Sequence, residues 1–228
     1  MALNNLDQAF GKEVESANED RASILLQKAI DHVMPVVLEK VKEMTDRNPE
    51  NEDLRHDLCH MVNGILVTEL INTFHVPAME YRIDVNKDDS PLKNKSWNFH
   101  AMAITHLEGS IEDPQALFGL IDQTSIDPRT KRHYLKLGTL KELQSDAEAT
   151  FGGFWDFDEL PIRPDERQNT VRQRIENAQH LIQNGDSVDF NQHLYTQGRF
   201  DKNTQKPLGL KVVFMMNRRS PSLRYGTV

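Results

Sequence analysis

Cys59 is the only cysteine in the chain, and it stands at the head of a helical pattern, a place where a thiol can be made reactive. Leu58, Met61, Val62, Ile65, Leu66, Leu70, Ile71 and Phe74 recur at steps of three and four, which predicts an amphipathic helix from about Asp57 to Asn72. With Asp57 as its cap, Cys59 falls in the first turn. There the unpaired backbone N–H groups and the positive end of the helix dipole stabilise a thiolate, the nucleophilic form. A cysteine on a helix also has a plainer use as a small buried hydrophobe. To attack an amide, the thiol needs a base to take its proton and a third group to hold that base. His100, inside a predicted strand, is the candidate base, and Asp122, directly after Leu120-Ile121, is the candidate orienter. Taken singly, the histidine could lie on the solvent face of a sheet and the acid could cap a turn. Taken together, they have the right order. The stretch from Cys59 to His100 accommodates a helix, a strand and a loop, and that from His100 to Asp122 two neighbouring strands. On adjacent antiparallel strands the two side chains could face each other, with the start of the helix laid against the same sheet face, as a Cys-His-Asp triad requires.

The elements that must position these groups follow from periodicity. Leu25, Leu26, Ala29, Ile30 and Val33, continued by Val37, Val41 and Met44, predict a long helix that Pro35 kinks or divides. Residues 1–20 are polar and give no clear element, and Asn48 to Asp53 reads as a loop. After His75-Val76-Pro77 the period changes to two. Met79, Tyr81, Ile83 and Val85 alternate with Glu80, Arg82 and Asp84, the pattern of a half-buried strand. Asn98–Ile104 is a second strand and Leu117–Asp122 a third, shorter one. Thr139-Leu140-Lys141-Glu142 has the form of a capping box and predicts a helix after it. A longer helix begins near Asp165, carries Val171, Ile175, Ala178, Leu181 and Ile182, and stops at Gly185. The last part reads as a hairpin with arms at Tyr195–Phe200 and Leu210–Met216. Gly64, inside the cysteine helix, marks a place where another backbone approaches closely.

Other residues admit rival chemistry. His56 and His60 have the i, i+4 spacing that seats zinc, and Cys59 lies between them, so a zinc site built on His56, Cys59 and His60 competes for the thiol. A structural site needs four ligands, and the single cysteine leaves His75 or an acid to complete it. For an oxyanion hole, the backbone N–H of Cys59 is one donor. Trp97, whose indole is donor-only, is a candidate second, although an aromatic before a strand also packs. The aromatic run from Phe151 to Phe157, with Gly152-Gly153 inside it, either borders a groove or forms a packed corner.

Several short motifs resemble the transglutaminase-like core. These are Cys59-His60-Met61, Leu66-Val67-Thr68-Glu69-Leu70, Val76-Pro77-Ala78 leading into Tyr81, His100-Ala101, and Leu120-Ile121-Asp122-Gln123-Thr124. The resemblance covers about residues 52–126. It implies a papain-like fold in which a cysteine-headed helix packs on an antiparallel sheet, with Cys59 as nucleophile, His100 as general base and Asp122 as orienter. Trp97 and Gln123 then border the site as candidate oxyanion or substrate contacts. The approach His56-Asp57-Leu58-Cys59 differs from the family's Gly-x-Cys. Met102 stands where tryptophan commonly follows the His-Ala pair, and Gln123 where proline is usual.

Composition sets the bounds. A chain of 228 residues with 38% hydrophobic and 27% charged residues has enough apolar matter for a core. The formal net charge of −8, without a dense Lys/Arg block, argues against a partner gripped through its phosphates, so no nucleic acid is expected. No stretch approaches a membrane-spanning length, so no membrane insertion is expected. One cysteine excludes an internal disulfide, as in a reducing compartment. The start, Met1-Ala2-Leu3-Asn4-Asn5-Leu6-Asp7, lacks the segments of a signal peptide. The expectation is an α+β protein with a helical extension over 1–50 and the core with its C-terminal helices and hairpin over 51–228. It would be cytoplasmic where made, with export as an effector through a route lacking a cleaved leader as the alternative. The expected function is thiol-dependent acyl transfer on a protein carboxamide, by deamidation, transglutamination or amide hydrolysis. It needs no cofactor and no metal. The rivals are a non-catalytic protein-binding module on the same fold and the zinc protein above.

Overall fold

The computed structural model describes residues 2–11, 19–47, 58–84, 99–126, 132–151, 157, 170–190, 195–200 and 207–212. In chain order the elements are α1 (Ala2–Phe10), α2 (Glu19–Arg47), α3 (Leu58–Phe74), β1 (Ala78–Asp84), β2 (Phe99–Glu108), β3 (Leu117–Ile126), β4 (His133–Gly138), α4 (Leu140–Phe151), α5 (Val171–Asn184), β5 (Tyr195–Phe200) and β6 (Pro207–Val212). The class is α+β. Strands β4-β3-β2-β1 form an antiparallel meander, and the β5–β6 hairpin extends it beyond β1. The sheet is therefore mixed, because β5 runs parallel to β1. Among the described residues no helix is long and apolar enough to cross a membrane.

The helices show where local sequence was decisive. Thr139 and Glu142 cap each other reciprocally at the start of α4: the Thr139 N–H donates to Glu142 Oε2 at 2.8 Å and the Glu142 N–H to Thr139 Oγ1 at 3.3 Å. Helix α5 starts later than expected, at Val171, with Thr170 as cap. It ends on Gly185 at φ 73°, where the Gly185 and Asp186 N–H groups close onto the Ile182 and Leu181 carbonyls. Pro35 neither ends nor divides α2. Val33, Val37 and Val41 are buried on both sides of it, and that packing offsets the missing hydrogen bond. Helix α1, which the polar composition of residues 1–20 hid, docks Leu6 into the core and packs Phe10 at a tilt against Phe74, ring centroids 5.2 Å apart. With Leu25, Leu26 and Ile30 of α2, Leu6 belongs to the same apolar cluster as α3 and the sheet.

Helices cover both faces of the sheet. On one, α3 sets His60 and Gly64 against Glu80, and Leu26 of α2 meets Gly119. On the other, Phe151 at the end of α4 packs on Tyr134, and Phe157 packs on Tyr81. The alternation of β1 therefore does not mean half-burial. Glu80, expected on the polar side, is 0% exposed, because β1 is an inner strand with packing on both of its faces. Its carboxylate sits 2.6 Å from His60 Nδ1, also buried. Gly64 does mark a close approach, to the Phe190 ring and Glu80 and not to a backbone: a Cβ there would lie 2.7 Å from Phe190 Cε2. Strand β4 was missed, and β3 runs on to Ile126. The second hairpin arm is Pro207–Val212, and residues 213–216 lie outside the described set.

Candidate functional site

Cys59, His100 and Asp122 meet. Helix α3 begins at Leu58, so Cys59 is in its first turn, partly exposed, beside an exposed Leu58. His100 and Asp122 are both buried, and His100 Nε2 lies 2.8 Å from Asp122 Oδ2. With Nε2 committed to the carboxylate, Nδ1 is the nitrogen left for the Cys59 thiol, which lies close enough to help raise the imidazole's pKa. The ring is clamped from behind by Phe151, stacked at 5.1 Å and 27°. Phe151 in turn meets Tyr134 edge-on.

The route by which these groups meet differs from the expected one. Strict alternation gives His100 and Asp122 the face of Tyr81 and Tyr134, opposite the Glu80 face on which α3 lies. The two faces connect because the sheet parts. Pairing of β2 with β3 stops at Ala103 and Ile121, and continued in register the next like rung would join Ala101 to Gln123. The Asn63 carboxamide occupies that rung. It donates to the Ala101 carbonyl at 2.8 Å and accepts from the Gln123 N–H at 3.3 Å. A second bond from Asn63 Nδ2 reaches Asp122 Oδ1 at 3.1 Å. The β3–β4 ladder also shifts register over this stretch, between Asp122 and Ile126.

Asp122 is held as an acceptor throughout. Besides Asn63, Oδ1 accepts from the Thr124 N–H at 2.8 Å and from Thr124 Oγ1 at 2.6 Å, which fixes the carboxylate plane and leaves Oδ2 to the histidine. Burial works against the charged form of both residues. For Asp122 it is outweighed by the charge and hydrogen bond of His100, with Ser125 and Thr124 adding to them, so its pKa lies well below the usual carboxylate range. For His100 it is outweighed by the charge and hydrogen bond of Asp122, then by Cys59, and its pKa rises to about 10. Both shifts favour a protonated imidazole beside an ionised carboxylate at neutral pH.

This arrangement has a stability signature. A raised imidazole pKa contributes stability that is full below the unfolded value of 6.5 and is lost as pH climbs toward the folded one. A lowered carboxylate pKa contributes stability that is full above 3.8 and is lost as pH falls through the folded value. In a Cys59→Ala background, where no sulfur titrates, adding His100→Gln should cost most stability between those two values. The cost should shrink steadily above the upper one, as read by urea unfolding across pH.

The remaining candidates fare unevenly. Gln123 is buried next to Asp122. Its backbone serves the Asn63 rung, while its side-chain Nε2 makes no hydrogen bond among the described residues. Trp97 and His56 lie outside the described residues, as do residues 152–156 of the aromatic run. His60 turns its Nδ1 to Glu80, and no cluster of three metal-ligating side chains occurs among the described residues. Sequence reasoning missed Asn63, whose only signal was a polar residue one turn after Cys59 inside an apolar run. It also gave no site role to Thr124, and offered Phe151 only as part of an aromatic run at a groove or a packed corner. Compared with family models, with curated proteins and with solved structures, the chain matches none.

Proposed function

We propose that the protein is a cysteine-dependent acyl-transfer enzyme acting on carboxamides, built like the transglutaminase-like members of the papain-like fold. The observation that carries this reading is the buried Asp122–His100 pair, with the Cys59 thiol close enough to act on its imidazole. Structural ion pairs also shift pKa values, but a histidine locked between a carboxylate and a helix-first-turn thiol fits the activated nucleophile arrangement.

The chemistry follows from the resting proton on His100. Thiolate sulfur attacks the carboxamide carbon, forming a C–S bond and a tetrahedral oxyanion, and the Cys59 backbone N–H at the start of α3 is one donor to that oxygen. The C–N bond breaks as the His100 imidazolium gives its proton to the departing nitrogen, which leaves as ammonia or an amine. The neutral imidazole then takes a proton from water, whose oxygen attacks the thioester. The carboxylic acid leaves, and the thiolate and imidazolium are restored. An amine in place of water gives a cross-link. Asp122 holds the ring in one orientation and stabilises its charge in every step. The partly exposed thiol and the exposed Leu58 beside it fit a protein-borne glutamine side chain as the carboxamide.

The wild-type protein tests this directly. Its alkylation by iodoacetamide at pH 6 should exceed that of a cysteine in an unstructured peptide by at least 10-fold, and it should release ammonia from a glutamine-rich protein such as casein. Alkylation that tracks the peptide at every pH would sink the reading.

A further inference from the structure

Asn63 does more than fill a gap in the core. The geometry points to Asn63 as the positioning residue of the site: its carboxamide stands in for the missing β2–β3 rung and so pins the Cys59 turn of α3 against His100 and Asp122. This rests on the acyl-transfer reading and deepens it. Each atom of the amide is used in a way that fixes its orientation. The two N–H bonds go to acceptors, the Ala101 carbonyl and Asp122 Oδ1, and the oxygen takes a donor, the Gln123 N–H. A flipped amide would set oxygen against two oxygens and N–H against N–H, so only one rotamer satisfies the three partners. Asn63 is wholly buried, so water cannot stand in for any of them.

Asn63 and its partners together lie on the three chain segments that must be aligned. Ala101 follows His100 on β2, Gln123 follows Asp122 on β3, and Asn63 lies one turn after Cys59 on α3. A carboxamide in the rung therefore couples the sulfur-bearing helix to both strands by bonds of 2.8 to 3.3 Å. The other hydrogen-bond donors to Asp122 Oδ1, the N–H and hydroxyl of Thr124, are on β3 itself and join nothing across the gap. That contrast gives the test.

Asn63→Ala should lower kcat for amide turnover roughly 100-fold, the cost of displacing a reacting group by about an ångström, with KM changed far less. Thr124→Val removes a donor from the same carboxylate oxygen without cutting the tie, and should cost under about 10-fold. Asn63→Asp cannot donate to Asp122 and adds a second carboxylate beside it, so its rate at neutral pH should match Asn63→Ala and recover in part as the pH is lowered and the two acids share a proton. Equal losses in Asn63→Ala and Thr124→Val, or an Asn63→Ala protein with the wild-type pH profile and rate, overturn the positioning role. If wild-type Cys59 reacts like a peptide thiol, the enzyme reading falls, and Asn63 is judged instead on the His100 ring by NMR. Asn63→Ala must then move the imidazole resonances and their titration more than Thr124→Val does, and the reverse order overturns it. Should Asn63→Ala fail to fold, the wild type still decides. The Asn63 side-chain amide protons must exchange with solvent as slowly as core amides, and exchange at the rate of an exposed asparagine overturns the positioning role.

Discussion

Cys59→Ala is expected to lose turnover of a glutamine-containing protein by on the order of a million-fold, down to the rate left by binding and the oxyanion donors alone, while keeping the wild-type fold. The thiol is partly exposed at the start of α3, so its removal leaves little cavity. His100→Ala should be about as severe, and the double variant no worse than either, because residues that act as a unit do not contribute additively. Asp122→Asn distinguishes a triad from a dyad. An asparagine can keep its bonds around the gap but turns the imidazole to the wrong tautomer, and the loss should be roughly 10,000-fold. Single-turnover assays with acylation followed by mass spectrometry separate these cases, since only variants that retain the sulfur form the thioester. No turnover by the wild type, with partner binding unchanged in Cys59→Ala, would leave the protein-binding alternative standing.

Glu80→Ala is expected to destabilise the protein by about 3–5 kcal/mol, the largest stability loss from any single polar substitution away from the triad. Glu80 is wholly buried and hydrogen-bonds His60, itself 2% exposed, under the Phe190 ring. Deleting the carboxylate leaves the histidine facing a cavity. Glu80→Gln keeps an acceptor of the same size and should cost much less. Urea denaturation monitored by circular dichroism gives both values. The result also bears on His60 as a metal ligand: a nitrogen held by Glu80 at the core of the fold is one whose loss weakens the protein, with or without zinc in the buffer.

Much of the candidate site was legible because its residue types are those that the proposed amide chemistry by a thiol would demand, and because local rules place them. The step-of-three-and-four pattern after Leu58 put Cys59 in a first turn, and the separate strand pattern over Asn98–Ile104 carried His100. The same local rules located the Thr139–Glu142 cap and the Gly185 stop. What they could not supply was exposure. Alternation in β1 separated Glu80 from Tyr81 correctly, but whether the Glu80 side met water depended on α3 lying across it and on β5 arriving from far along the chain to make β1 an inner strand.

The chain's own order of residues determined that a thiol, an imidazole and a carboxylate would sit on a helix and two strands, because helix and strand periodicity are written within a few residues of each position. Tertiary structure alone decided that they meet, and how. Alternation would have left the cysteine helix and the histidine on opposite faces, and only where β2 and β3 part, with the Asn63 amide in the vacant rung, do the two faces join. A missing rung between strands leaves no mark in sequence, since it depends on which side chain of a separate helix can satisfy an N–H and a carbonyl that the ladder has released.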